Sequence, residues 1–312
     1  MKLAANCLPI SSTQLQHRNL PVAKLMIAED IKKFYYSIGW RSRARHPGNH
    51  NSNQRGMGME FRGHTTLLSY PDPRRIDIRQ TIRDPLEQVH VRIFNQKSIS
   101  PIYALCDLSA SMNFGSYKRK LVIASDILKS IAQSASDAGD PFTFIGFDEV
   151  IREDWLTPAS FKPHHALEMA DKLSEYHPKA QNSQGLLDVM RFLTRERALI
   201  FLISDFHMPL KELEAAMGQL LRHHVVPIVL WDKGEYEDLP EFGITNVTDS
   251  ETGARRTLFL RKDYKQRIIE SFEARKAAIK ALFMQFDTPP IFLESEFDAD
   301  ALTEYFHQFI AA

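Results

Sequence analysis

Residues 101–112 read PIYALCDLSASM, so Asp107, Ser109 and Ser111 follow directly on an apolar run. A second apolar run, RALIFLISDF, ends in Ser204 and Asp205. Apolar runs bounded by polar turn-formers read as buried strands, which puts both polar clusters where a strand gives way to a loop. In an open parallel sheet, ligands gather outside the carboxyl ends of the strands, where strand order reverses. Two carboxylates and two hydroxyls meeting there form a hard-oxygen set suited to Mg²⁺, Mn²⁺ or Ca²⁺, with no Cys or His to favour zinc. The same residues could instead cap a helix through an Asx turn. A second strand ending in Ser-Asp, within a matching α/β pattern, favours the cation.

The elements that must position these residues lie beyond residue 97, where strand and helix patterns alternate. The strand ending at Asp107 is followed by helical spacing over about 117–138, the strand PFTFIGF and a short strand near 150–156. Helical stretches near 163–175 and 185–195, RALIFLISDF, a helix near 210–222 and the strand VVPIVLW come next. Residues 244–261 read as a hairpin turning at Glu251 to Gly253, inserted before a helix over about 263–286. The strand PPIFLES and a helix from about 298 close the chain. This order implies an α/β fold with a mainly parallel sheet.

Residues 1–96 read differently. Residues 21–40 have the spacing of an amphipathic helix, and residues 41–58 form a basic, Gly-containing loop. Residues 59–95 alternate in short pieces broken by Pro-Asp and Asp-Pro, as half-exposed strands do. Arg74, Arg75, Arg79 and Arg83 surround Asp77, which suggests an internal ion-pair network. The expected division is therefore 1–96, a smaller β-rich region, and 97–312, the α/β domain.

The formal net charge is zero, with 39 basic and 39 acidic residues, but residues 1–96 hold 15 Lys and Arg against 7 Asp and Glu. The two parts should neutralise each other, or the basic part should meet an anionic partner. Arg41, Arg43 and Arg45 lack an aromatic platform and a nucleic-acid motif, so nucleic acid is not the expected partner. The first twenty residues contain no signal-peptide core, and no run approaches the roughly 18 apolar residues of a membrane span. Cys7 and Cys106 lie far apart, and Cys106 sits in a core strand as a small hydrophobe does. A cytoplasmic location is expected.

Residues 107–111 and 205 resemble the metal-ion-dependent adhesion site of von Willebrand factor A (vWA) domains. The larger resemblance, over roughly residues 45–310, is to the bacterial DUF58 family, which contains such a domain. Its upstream signature is matched by GMGMEFRGHTTLLSYPDPRRIDIRQTIR, with Pro-Asp-Pro in place of Gly-Asp-Asp and Ile78 in place of a Trp. The resemblance implies a vWA-like, doubly wound sheet with a smaller β-rich N-terminal region. It implies that Ser109 and Ser111 bind the cation (Mg²⁺, or Ca²⁺ or Mn²⁺) directly. Asp107 and Asp205 then lie behind or bridge through water, and Ser183 in AQNSQGLLD serves as the fifth residue. An open coordination position would be filled by a partner's Asp or Glu. The implied partner is a MoxR-type AAA+ ATPase acting in assembly, maturation or metal insertion of a client protein, with methanol dehydrogenase as one such client.

The rival class is a Mg²⁺-dependent phosphohydrolase using Asp107 and Asp205. That chemistry wants a second carboxylate two residues after the first, and Ser109 stands there. There is no G-x-x-x-x-G-K-[ST] loop, and GMGMEF fails the dinucleotide pattern at its third glycine. The expected protein is not an enzyme. The pairs His164–His165 and His223–His224 give no H-E-x-x-H spacing and read as surface or packing residues; His207 and Asp232 read as loop and cap.

Overall fold

Two strands open the described chain. β1 (Arg55–Thr66) and β2 (His90–Asn95) pair antiparallel, with register shifts near Glu60 and Gly63. Between them stands a six-residue helix, α1 (Ile78–Arg83), where short strands were expected. Its cause is local: Asp77 accepts hydrogen bonds from the backbone N–H groups of Arg79 and Gln80 and so caps the helix. Asp77 pairs with Arg92 at 2.8 Å and His64 at 3.1 Å, not with the four arginines expected around it. Of those four, Arg75 meets Asp72 at 3.3 Å.

The α/β part follows as β3 (Ile102–Asp107), α2 (Lys120–Ala138), β4 (Phe142–Phe147), β5 (Ile151–Leu156) and α3 (His164–Glu175). It continues with β6 (Leu199–Ser204), α4 (Leu210–Leu220), β7 (His224–Leu230) and the antiparallel hairpin β8 (Gly243–Thr248) and β9 (Arg255–Leu260). The final elements are α5 (Lys262–Gln285), β10 (Ile291–Leu293) and α6 (Ala299–Phe309). The computed structural model describes residues 31–38, 40, 50, 55–95, 99–236, 243–248, 255–260, 262–294 and 296–309. The hairpin turn at Glu251 to Gly253 and the basic residues Arg41, Arg43 and Arg45 lie outside them.

The main sheet has the order β10-β7-β6-β3-β4-β5, with every neighbour parallel except β5, which runs antiparallel to β4. Successive side chains of a strand point to opposite faces, and both faces here are covered. Ile102, Ala104 and Cys106 pack with α2, α3 and α6, while Tyr103 and Leu105 pack with α4 and α5. All six residues of β3 and of β6 are buried, which explains why those strands read as unbroken apolar runs. α2 stops at Gly139, whose φ of 75° is the left-handed turn that glycine takes without strain.

Two further expectations are corrected. Residues 31–38 form no helix: the segment is irregular, and the Phe34 N–H donates to Ser134 Oγ at 3.1 Å while its ring stacks on Phe306. Residues 21–30 lie outside the described residues. The helical stretch near 185–195 is a 3₁₀ helix over Gln184–Arg191. Gly185 lets the start of this helix press against the loop after β4, because a Cβ there would lie 2.5 Å from the backbone of Val150 and 2.8 Å from that of Asp148.

Candidate metal centre

The chain passes from β3 outward to β4 and β5, then returns to lay β6 on the other side of β3. The strand order therefore reverses between β3 and β6, where their carboxyl ends leave a crevice. Asp107 is the last residue of β3, and Asp205 directly follows β6. Asp107 Oδ1 accepts the Ser109 N–H at 2.8 Å, which turns the chain sharply after the strand. Its Oδ2 accepts the Ser204 hydroxyl at 2.7 Å, and Ser204 Oγ in turn accepts the Phe206 N–H at 2.9 Å. Ser204, passed over in the sequence except as a strand end, thus ties the two strand ends together.

Ser109 Oγ and Ser111 Oγ lie 3.1 Å apart, with both residues buried. Asp205 sits in a braced turn: Phe206 has a left-handed φ of 52°, and the Trp231 indole N–H donates to the Asp205 carbonyl at 2.8 Å. The Arg275 guanidinium donates to the carbonyls of Phe206, at 2.7 Å, and Met208. A non-glycine residue held at positive φ needs such bracing. Four expected residues, Asp107, Ser109, Ser111 and Asp205, are brought together. Ser183 is buried on the neighbouring loop, which is pinned by the Ala110 N–H on the Ala180 carbonyl at 2.8 Å. Among the described residues its hydroxyl makes no hydrogen bond to the other four.

Lys120, at the first position of α2, was missed. Only 1% of its side chain is exposed, and its Nζ lies 3.0 Å from Asp205 Oδ2 and 2.6 Å from Glu235 Oε1. A buried ammonium persists only where carboxylates compensate its desolvation. Here burial alone would lower its pKa, and Asp205 and Glu235 raise it instead. His207 Nε2 lies 3.9 Å from both Asp205 Oδ2 and Glu235 Oε1, which gives it a place on the rim. Asp232 is the cap that its position suggested, accepting the Gly234 N–H at 2.7 Å and the Ser116 hydroxyl at 2.6 Å.

The two carboxylates are driven apart. Burial and the charge of Asp205 push Asp107 up to about 7, against hydrogen bonds from Ser109 and Ser204. Burial would raise Asp205 as well, but the Lys120 ammonium, His207 and a hydrogen bond from Ser111 hold it low. Three carboxylates meet one ammonium in this crevice, so a further positive charge relieves the repulsion that raises Asp107. Hard oxygens, burial and that excess of negative charge fit a divalent cation of the Mg²⁺, Mn²⁺ or Ca²⁺ type.

The histidine pairs separate. His223 and His224 are packing residues whose pKa values burial lowers, His224 to about 4. His164 and His165 do converge, contrary to expectation: at the start of α3 their ring centroids lie 3.7 Å apart with the planes tilted by 40°, and Glu168 stands alongside on an exposed surface.

A doubly covered, mainly parallel sheet with D-x-S-x-S at one strand end and Ser-Asp at the next defines a vWA-like α/β domain. The chain belongs to the DUF58 family: the model described as "Protein of unknown function DUF58" matches residues 71–281. A relative from Paracoccus denitrificans, "Uncharacterized protein in moxR 3'region", is 32% identical over 99 residues, which is 32% of this chain and 94% of the relative. Among solved structures, BatB from Bacteroides thetaiotaomicron matches at 15% identity and a TM-score of 0.39, over 69% of this chain and 100% of that one. A von Willebrand factor type A structure from Catenulispora acidiphila matches at 16% identity and a TM-score of 0.36, over 71% of this chain and 44% of that one.

Proposed function

We propose that this chain is a noncatalytic, metal-dependent interaction module. The observation that carries this reading is the meeting of Asp107, Ser109, Ser111 and Asp205 at the switch point, with more carboxylate than ammonium. Ser109 and Ser111 would hold the cation, and Asp107 orients their loop through its bond to the Ser109 N–H. Asp205, engaged by Lys120, supplies charge from behind. When bound, the divalent cation offers a position that an Asp or Glu carboxylate from another protein completes. Ser183 joins as a further hydroxyl if its loop shifts.

The position of the Paracoccus relative beside moxR supports a MoxR-type AAA+ ATPase as the partner, acting on a client in assembly, maturation or metal insertion. No observation singles out methanol dehydrogenase as that client. Phosphohydrolase chemistry is disfavoured because Ser109 stands where the acid/base carboxylate belongs and cannot take that role.

Calorimetric titration tests the site. One Mg²⁺ should bind the wild type weakly, and a Ser109→Ala, Ser111→Ala double variant should lose that binding while melting as the wild type does. Equal Mg²⁺ affinity in both would sink the assignment. Hydrolysis of phosphate esters that disappears in Asp107→Asn would favour the hydrolase.

A further inference from the structure

The stretch from Leu67 to Val89 carries a second surface, remote in sequence from the metal centre. Ile78 and Ile82 stand one turn apart on α1, so they share a face, and they are 67% and 79% exposed. Leu86 follows at 75% and Leu68 at 96%. The Leu67 N–H donates to the Val89 carbonyl at 2.7 Å, which sets the Leu68 turn beside the strand that α1 leans on. Single exposed apolar residues are ordinary, but Ile78 and Ile82 on one face of α1, with Leu68 and Leu86 exposed in the turns before and after it, are more than a scatter and call for a cover.

The patch is held in place rather than loose. The Thr81 hydroxyl accepts the His90 N–H at 3.0 Å, and Asp84 accepts the backbone N–H groups of Leu86 and Gln88 at 3.1 and 3.0 Å. Those bonds fix the α1 face and the turn after it in one arrangement. A preformed apolar surface loses little order on binding.

Charge identifies the occupant. The Asp residues of this segment are each engaged: Asp72 by Arg75, Asp77 by Arg92 and His64, and Asp84 by His90 at 3.0 Å. Arg74, Arg79 and Arg83 are exposed and make no ion pair among the described residues. The apolar residues are thus bordered by cations whose local carboxylates are already taken.

We propose that Leu68, Ile78, Ile82 and Leu86, bordered by Arg79 and Arg83, dock an amphipathic protein segment with an apolar face and Asp or Glu along its edges. Burial of the isoleucines supplies affinity, and the arginines select acidic segments over basic ones. This contact needs no cation, so it stands or falls apart from the metal-bridge reading.

The probe is a fluorescent helical peptide with leucines on one face and glutamates on its flanks, compared with the same peptide carrying lysines, by anisotropy. The glutamate peptide should bind the full chain, weaken as salt rises and ignore EDTA. Ile78→Ser with Ile82→Ser should weaken it by about tenfold or more. Arg79→Ala with Arg83→Ala should remove most of the salt dependence. Both variants alter exposed side chains and should melt as the wild type does. The proposal is overturned by absence of binding, by equal binding of the two peptides, by loss of binding in EDTA, or by wild-type affinity in the isoleucine variant. It is equally overturned if that variant instead abolishes sedimentation with phosphatidylserine vesicles, or a self-association of the chain.

Discussion

At the scale of single residues, the centre is a contest between buried charges. Asp107→Asn keeps an oxygen for the Ser109 N–H, reverses the Ser204 bond so that the amide donates to that hydroxyl, and removes one of two carboxylates that repel each other. Its Mg²⁺ affinity should fall at least about tenfold with no loss of melting temperature, as calorimetry and thermal denaturation would show. Lys120→Met should do the reverse. Removing the resident ammonium leaves Asp205 and Glu235 unpaired, so the metal-free protein should lose about 3–5 kcal/mol, the range for breaking a buried ion pair. Its Mg²⁺ affinity should rise, and saturating Mg²⁺ should recover part of the lost stability in denaturant titrations. Unchanged metal affinity would mean that Lys120 is merely structural. Asp107, Ser109, Ser111 and Asp205 were legible because polar residues ending apolar runs have few places to go. Lys120 was not, because KRKLV resembles a solvated helix start. The available signal was a lysine in the first turn of a helix, where the dipole disfavours a cation unless a carboxylate faces it.

At the scale of elements, strands and long helices were legible because burial on one or both faces imposes a period on the sequence. β3 and β6, buried on both faces, read as continuous runs, and α2 showed its apolar stripe. Periodicity failed where backbone chemistry decided the outcome. Asp77 capped α1 inside a stretch punctuated like a hairpin, and Phe34 and Tyr36 packed around Phe306 from an irregular segment with helical spacing. The start of β7 offers a test of burial by pH. Burial, with Arg197 nearby, holds His224 down to about 4, and burial with Arg222 and Arg197 also lowers His223. The folded state keeps these rings neutral while the unfolded chain takes up protons below about 6.5. Their contribution is therefore complete above that pH and is lost as the pH falls toward 4, by up to about 3 kcal/mol for His224. Urea midpoints at pH 7.5 and 5.0 should fall further in the wild type than in His224→Gln. Parallel falls in both would place the acid sensitivity elsewhere.

At the scale of the whole molecule, the uneven charge of the chain is resolved only in part inside it. Lys33 meets Asp137 at 2.8 Å and His50 meets Asp140 at 2.5 Å, joining the N-terminal residues to the α/β part. Among the described residues, the exposed Arg74, Arg79 and Arg83 near α1 find no such match. No helix among the described residues is long and apolar enough to cross a membrane. A DUF58 chain built this way gathers Asp107, Asp205 and Glu235 around a single buried ammonium, Lys120, in a crevice at the carboxyl edge of its sheet. If a cation joins that crevice to another protein, the association must need both the metal and the two serines. The most direct measurement is the affinity of this chain for a MoxR-type AAA+ ATPase at constant ionic strength, in Mg²⁺ and in EDTA. It should be made with the wild type and with Ser109→Ala, Ser111→Ala. Binding should be at least about tenfold tighter in Mg²⁺ for the wild type and insensitive to EDTA in the variant. Equal affinity under all four conditions would contradict the metal bridge.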